Sequence, residues 1–145
     1  MASEVRTYAS ERVLLIVGGI PLTGLAEDTF VEIAPSADRV TAAVGADGEI
    51  ARSISSNRMH TVTITLQATS PSNDVLSGFM MMDKVTGGGG VIPVMVSDLS
   101  GRTMFAASQA WITATPSVSF GGEAGTREWT LATGEPETFT IGGNL

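Results

Sequence analysis

The chain predicts a mainly β fold: a β-sandwich or barrel with one α-helix at its side and a long projecting hairpin. Three observations carry this. Threonine alternates with aliphatic residues over 60–66, a single helix-period segment stands alone at 70–85, and glycine- and proline-bearing turns separate short apolar runs. A chain of 145 residues is of single-domain length. No internal repeat or linker divides it, so 1–145 reads as one domain.

Taken in order, Val13-Leu14-Leu15-Ile16-Val17 is a continuous apolar run ended by Gly18-Gly19 and Pro21, the pattern of a strand buried on both faces. Phe30, Val31 and Ile33 make a second strand, closed by Pro35. Over 60–66, Val62, Ile64 and Leu66 alternate with Thr61, Thr63 and Thr65, which gives one core face and one polar face. Ser70-Pro71 reads as an N-cap followed by proline at the first helical position, with Asp74 near the positive end of the dipole. Val75, Leu76, Phe79 and Met80 then recur along one helical face, and Met80-Met81-Met82 is expected to pack the helix on the sheet. The helix should end near Val85, ahead of a flexible glycine-rich connection at 87–90. Strands are expected at 91–96, 103–113, 127–132 and 138–141, with turns at 98–101, Pro116, Gly121-Gly122, Gly125 and 134–136 between them.

The stretch 36–58 fits none of this. It is long and polar, with Asp38, Arg39, Asp47, Glu49, Arg52 and Arg58 around a few apolar positions, among them Val40, Val44 and Ile50. Structureless loops of such length are uncommon and usually functional. Asp47-Gly48 is a hairpin-turn dipeptide, so the stretch reads as a projecting hairpin with little to bury against in its own subunit.

Composition narrows the function. Hydrophobic residues make up 43% and charged residues only 16%, against about a quarter charged in ordinary soluble domains. The shortfall points to surface covered by neighbouring subunits. Fifteen acidic against eight basic residues give a net charge of -7, and no basic run exists to grip phosphates. The absence of cysteine excludes disulfides, thiolate metal sites and a cysteine nucleophile. The first dozen or so residues lack an apolar signal core, and no apolar run approaches the ~20 residues of a membrane span; neither a cleaved signal nor a membrane segment is expected.

No catalytic, cofactor or metal site emerges. His60 is the single histidine, at a strand end, where a hydrogen-bonded or solvated imidazole is the ordinary reading. Glu27-Asp28, Glu135 with Glu137, and Asp47 with Glu49 lack calcium-loop spacing and read as solvated turns. The glycines at 87–90 follow a helix instead of leading into one, the wrong order for a phosphate loop. Trp111 and Trp129 suit the core or a subunit seam.

The ordering of motifs does resemble a family. Gly45-Ala46-Asp47-Gly48-Glu49 comes first, then the alternating strand over 61–66, then Ala68-Thr69-Ser70-Pro71-Ser72-Asn73 with Val75-Leu76 opening a helix. Near the end, Gly121-Gly122-Glu123-Ala124-Gly125-Thr126-Arg127-Glu128-Trp129-Thr130-Leu131 precedes a short acidic tail. From about residue 8 to 143, the chain resembles the structural proteins that form the inner tail tube of contractile-tail bacteriophages, which are similar to the type VI secretion tube protein. The glycines at 87–90 depart from the more varied loop expected there.

The resemblance implies a virion protein assembled in the host cytoplasm, closing into ring-shaped hexamers that stack into a hollow tube. Implied partners are copies of itself, a sheath protein outside, a tape-measure protein and then DNA in the lumen, and a baseplate and tail terminator at the ends. It also implies a use for the arm: contact with the next ring through Asp38, Arg39, Val44, Gly45, Ala46, Asp47, Gly48, Glu49, Ile50, Arg52 and Arg58. A phage-like bacteriocin or injection machine would use the same subunit. From a different class, a monomeric β-sandwich ligand-binding module would expose aromatics, of which this chain has few.

Overall fold

The computed structural model describes residues 4–144. After a single 3-10 turn (Ser10–Arg12) the elements are β1 (Val13–Val17), β2 (Ile20–Pro21), β3 (Val31–Pro35), β4 (Val40–Val44), β5 (Ile50–Ile54) and β6 (His60–Gln67). Helix α1 (Ser72–Thr86) follows, then β7 (Ile92–Asp98), β8 (Met104–Ala114), β9 (Thr126–Thr133) and β10 (Thr138–Thr140). The strands expected in the second half stand within two residues of their expected places.

All pairings are antiparallel. The main sheet runs β2-β1-β7-β8-β9-β6-β3, with β10 also on β8, and β4-β5 forms a separate two-stranded sheet. β8 changes partner along its length: Met104 to Ala106 face β10, while Ala110 to Ala114 face β9. Its other edge pairs with β7 from Met104 to Ala110. A bulge between Ile112 and Ala114 marks the region where β8 bends. The sheet therefore wraps around one core, in which Leu15, Val62, Ile64, Leu66, Leu131 and Phe105 are fully buried. β2 and β3 end the sheet. No pairing joins them among the described residues, so the sheet curls without closing into a barrel.

Helix α1 covers the core with Leu76, which is fully buried, and with Val75, Phe79 and Met80. Its start is tied to the chain before β3. The Ser70 hydroxyl donates to the Thr23 carbonyl at 2.5 Å and accepts from the Ser72 N–H at 3.2 Å, and the Thr23 N–H donates to Ser72 Oγ at 2.8 Å. The Trp129 indole N–H donates to Asn73 Oδ1 at 3.0 Å, pinning the first turn to β9.

Two expectations need correcting, and a third gains detail. The run at 13–17 is not buried on both faces: Leu15 and Val17 are buried, while Leu14 and Ile16 look outward and stay half-buried, because only one face of the sheet meets the core. Met81 and Met82 lie off the helix's apolar stripe and are exposed. The glycine connection, expected as a plain link, is tied to the helix by hydrogen bonds. Gly87 ends the helix in the left-handed conformation, Gly88 N–H donates to the Asp83 carbonyl, and Gly89 and Gly90 donate to the side chains of Thr86 and Asp83. A Cβ at Gly90 would strike Asp83.

Gly18 and Gly19 turn the chain between β1 and β2 with φ of 61° and 81°. A Cβ at Gly18 would run into the Phe79 ring, whereas one at Gly19 would meet open space. Gly19→Ala should therefore cost only the backbone strain, on the order of 1 kcal/mol. Gly18→Ala should cost about 1–3 kcal/mol more through overpacking. Urea unfolding of the two variants checks the order: equal midpoints would place Phe79 elsewhere.

Candidate assembly surfaces

The segment between β3 and β6 is built as an extension of that strand pair. Pro35 faces His60 in the main sheet, and the ladder continues through Ser36 N–H donating to the Met59 carbonyl at 2.9 Å. After a break, Ser55 N–H donates to the Arg39 carbonyl and β4 pairs with β5 in the register Val40↔Ile54, Ala42↔Arg52, Val44↔Ile50. The tip is Gly45-Ala46-Asp47-Gly48-Glu49. Gly45 N–H donates to the Glu49 carbonyl at 2.7 Å, Glu49 N–H donates to Asp47 Oδ1 at 3.2 Å, and Gly48 holds φ 88°.

Residues directly opposite in an antiparallel pair share a face. One face of this hairpin thus carries Val40, Ile54, Val44 and Ile50, with Ala42 and Arg52 between them; the other carries Thr41, Ser53, Ala43 and Ala51. Every residue of both strands is exposed, with Val44 at 70%, Ile50 at 71% and Ile54 at 65%. Covering such a side chain fully is worth about 1.5–3 kcal/mol, and a lone two-stranded hairpin is marginal in water. The aliphatic face is therefore apolar surface left in water. Ile54 was missed in the sequence reading; counting outward from the Asp47-Gly48 turn places it in line with Ile50.

The other expected contact residues are also exposed: Asp38, Arg39, Ala46, Asp47, Glu49 and Arg52 point into solvent around the hairpin. Arg58 lies apart from them at the base, 3.4 Å from both carboxylate oxygens of Glu135 in the same chain. At that base lies an open groove of about 880 Å³, lined by Ile33, Pro35, Met59, His60, Phe139 and Ile141. His60 packs edge-on to Phe139 at 5.3 Å, and its Nδ1–H donates to the Arg58 carbonyl at 3.1 Å. The imidazole belongs to the groove wall. A second cleft, about 410 Å³, lies between the two ends of the sheet, with Tyr8, Ser10 and Val13 on one side and Glu27, Phe30 and Val31 on the other.

The groove exists because residues 134–137 interrupt the passage from β9 to β10 while β8 runs past unbroken. Glu137 fills the gap in the ladder: its carboxylate accepts from the Ser108 N–H at 2.8 Å and from the Ser108 hydroxyl. The hydroxyl bond, followed by the backbone bonds, favours the charged form and holds Glu137 below the usual carboxylate range. Glu137 is an exposed turn residue, as its spacing suggested, and serves in addition as a structural acceptor.

Comparison with known proteins gives four likenesses. A family model described as the bacteriophage PhiTE tail tube protein matches residues 22–139. "Structural protein ORF10" of Pseudomonas phage KPP10 is 32% identical over 151 residues, covering 99% of this chain and 87% of that protein. Among solved structures, the tube-terminating cap of the anti-feeding prophage superposes with a TM-score of 0.65 at 11% identity, over 97% of this chain and 96% of that one. The sheath-tube complex of an extracellular contractile injection system, PVC, in its extended state gives 0.58 at 12% identity, over 96% and 93%.

Ser108→Ala should raise the Glu137 titration midpoint toward the ordinary carboxylate value, as read by NMR. The sign for stability follows. A native carboxylate held below its unfolded value supports the fold above the unfolded pKa and loses that support as pH falls through the native one. Ser108→Ala should consequently lose less stability than the parent over that acidic window. An unchanged midpoint would show that the Ser108 hydroxyl does not set it.

Proposed function

The chain belongs to the phage tail tube family, and on that premise we propose that its subunits close into hexameric rings and stack into the inner tube of a contractile tail, the conduit for DNA. That it is a tube-type structural protein of the tail is the family assignment itself; the rings, the stacking and the cargo are the reading built on it. The observation that carries this reading is the hairpin. Val44, Ile50 and Ile54 are exposed on one face, and nothing among the described residues covers them.

A hairpin face on one copy meeting a different surface on the next is a heterologous contact, and such contacts repeat into rings or filaments. We assign the contact between rings to Asp38, Arg39, Asp47, Glu49, Arg52 and the aliphatic positions among them. Exposed ion pairs contribute at most about 1 kcal/mol each, so the apolar face supplies most of the energy and the charges set register. A sheath outside the tube, a tape-measure protein within it, and a baseplate and terminator at its ends complete the proposed assembly. The subunit needs no catalytic group for this work.

A phage-like injection machine is the second reading, supported by the likeness of fold to the anti-feeding prophage cap and to a chain of the PVC sheath-tube complex. The relative that matches nearly the whole chain at 32% identity comes from a phage, which favours a tail that carries DNA.

Removing residues 44–50 and bridging the ends should leave a folded subunit, since the hairpin contributes nothing to the core. Circular dichroism and the urea midpoint should match the parent. Sedimentation velocity at rising concentration should show large polymers for the parent and none beyond a single ring for the shortened chain. Polymers of parental length from the shortened chain would remove the hairpin from stacking.

A further inference from the structure

The groove at the base of the hairpin and the loop between β8 and β9 stand at opposite ends of one strand ladder. His60, in the groove wall, faces Thr133 at one end of the β6–β9 pair, and Gln67 faces Thr126 at the other. From residue 60 to residue 67 a strand advances roughly 23 Å. Residues 115–125 leave the sheet at the far end, where the Ala68 N–H donates to the Gly125 carbonyl at 2.9 Å. Within this loop Phe120 is 90% exposed, more than any other large hydrophobic residue described. Its ring lies 5.9 Å from the guanidinium of Arg127, which faces Leu66 at that same end.

The two features complement each other. The apolar wall of the groove is built from Ile33, Pro35, Met59, Phe139 and Ile141, and Ile141 is 81% exposed. At its mouth Arg39 and Arg58 stand against a single acid, Glu135. Arg58 engages Glu135, while Arg39 enters no ion pair among the described residues. The loop carries the matching set. Val118 and Phe120 are its exposed large apolar residues. Glu123 is the only charged residue between 115 and 125, exposed and outside every ion pair described. An aromatic side chain entering an apolar recess, with a carboxylate brought to an unpaired guanidinium, has the make-up of an anchoring contact.

We infer that the groove receives the Phe120 loop of a second copy of this chain. Within one copy the ladder holds the two apart, so the loop cannot fill its own groove. A recess at one end and its occupant at the other make the contact heterologous, repeating from copy to copy in one direction. The inference rests on the tube reading above and supplies the surface that meets the base of the arm. Ile54 belongs both to the groove and to the aliphatic face of the hairpin, so an incoming loop covers part of that face along with the recess. Val5 and Tyr8 are also exposed and apolar, but they lie at the groove's own end. Their segment is tied there by Asn144 Nδ2, which donates to the Thr7 carbonyl at 3.0 Å, three residues on from Ile141.

Because the chain lacks cysteine, a disulfide can report the contact. Ser119→Cys and Ile141→Cys are placed together in one chain, where their separation forbids a bond that needs Cα atoms within about 7 Å. Polymers of this double variant, oxidised and run on a denaturing gel, should give a ladder of dimers, trimers and longer products that reductant collapses. Neither single variant should give one; a dimer from Ser119→Cys alone would pair loop with loop and overturn the inference. Polymers that yield no ladder would overturn it as well, while leaving the tube reading intact. Should the double variant not polymerise, Phe120→Ser decides. Its urea midpoint should stay parental, because the exposed ring adds nothing to the core, while the concentration at which polymers form should rise about tenfold or more, the scale of an aromatic anchor. Polymerisation at the parental concentration would overturn the inference. If the parent chain forms no polymers, the failure lies in the tube reading itself, and the inference falls with it.

Discussion

Backbone pairing along β8 is the constraint on which the rest of the molecule depends. One edge of this strand holds β7 from Met104 to Ala110, while the other passes from β10 to β9. That hand-over sets Phe105 against Phe139 and Ala110 opposite Thr133, and it bends the sheet around its core. It also leaves residues 134–137 without regular partners, where the Glu137 carboxylate supplies acceptors that a backbone carbonyl would otherwise provide. The groove under the hairpin lies beside this break. One strand's choice of partners thus determines both the core and an accessible recess next to the arm.

Much of this was legible in the sequence, for particular reasons. The alternation over 60–66 is unambiguous because threonine and aliphatic residues differ so much in transfer energy, and it gave β6 correctly. The hairpin tip was legible in Asp47-Gly48, because few dipeptides accept that turn. The run at 13–17 was not, since Leu14 and Ile16 are as apolar as their buried neighbours and hide the period of two. The role of Glu137 could not be read, because Ser108 lies 29 positions away and only strand pairing brings them together. The glycines at 87–90 looked like slack chain; their purpose is the close approach of backbone to Asp83 and Thr86.

The candidate contact surface was half visible. Charged residues and the turn marked the arm, but its apolar face becomes plain only when the register sets Val40 opposite Ile54 and Val44 opposite Ile50. Two features of the single chain stand uncovered among the described residues: the unpaired ends of the sheet and the aliphatic face of the hairpin. Unpaired sheet edges and exposed apolar strips invite association unless another chain covers them, and a ring of identical copies can cover them all by one repeated set of contacts.

Electron microscopy of the purified chain at high concentration tests this most directly. The account predicts rings stacked into hollow tubes, with each hairpin seated against a neighbouring copy. Single subunits at every concentration and salt, with the hairpin still bare, would contradict it.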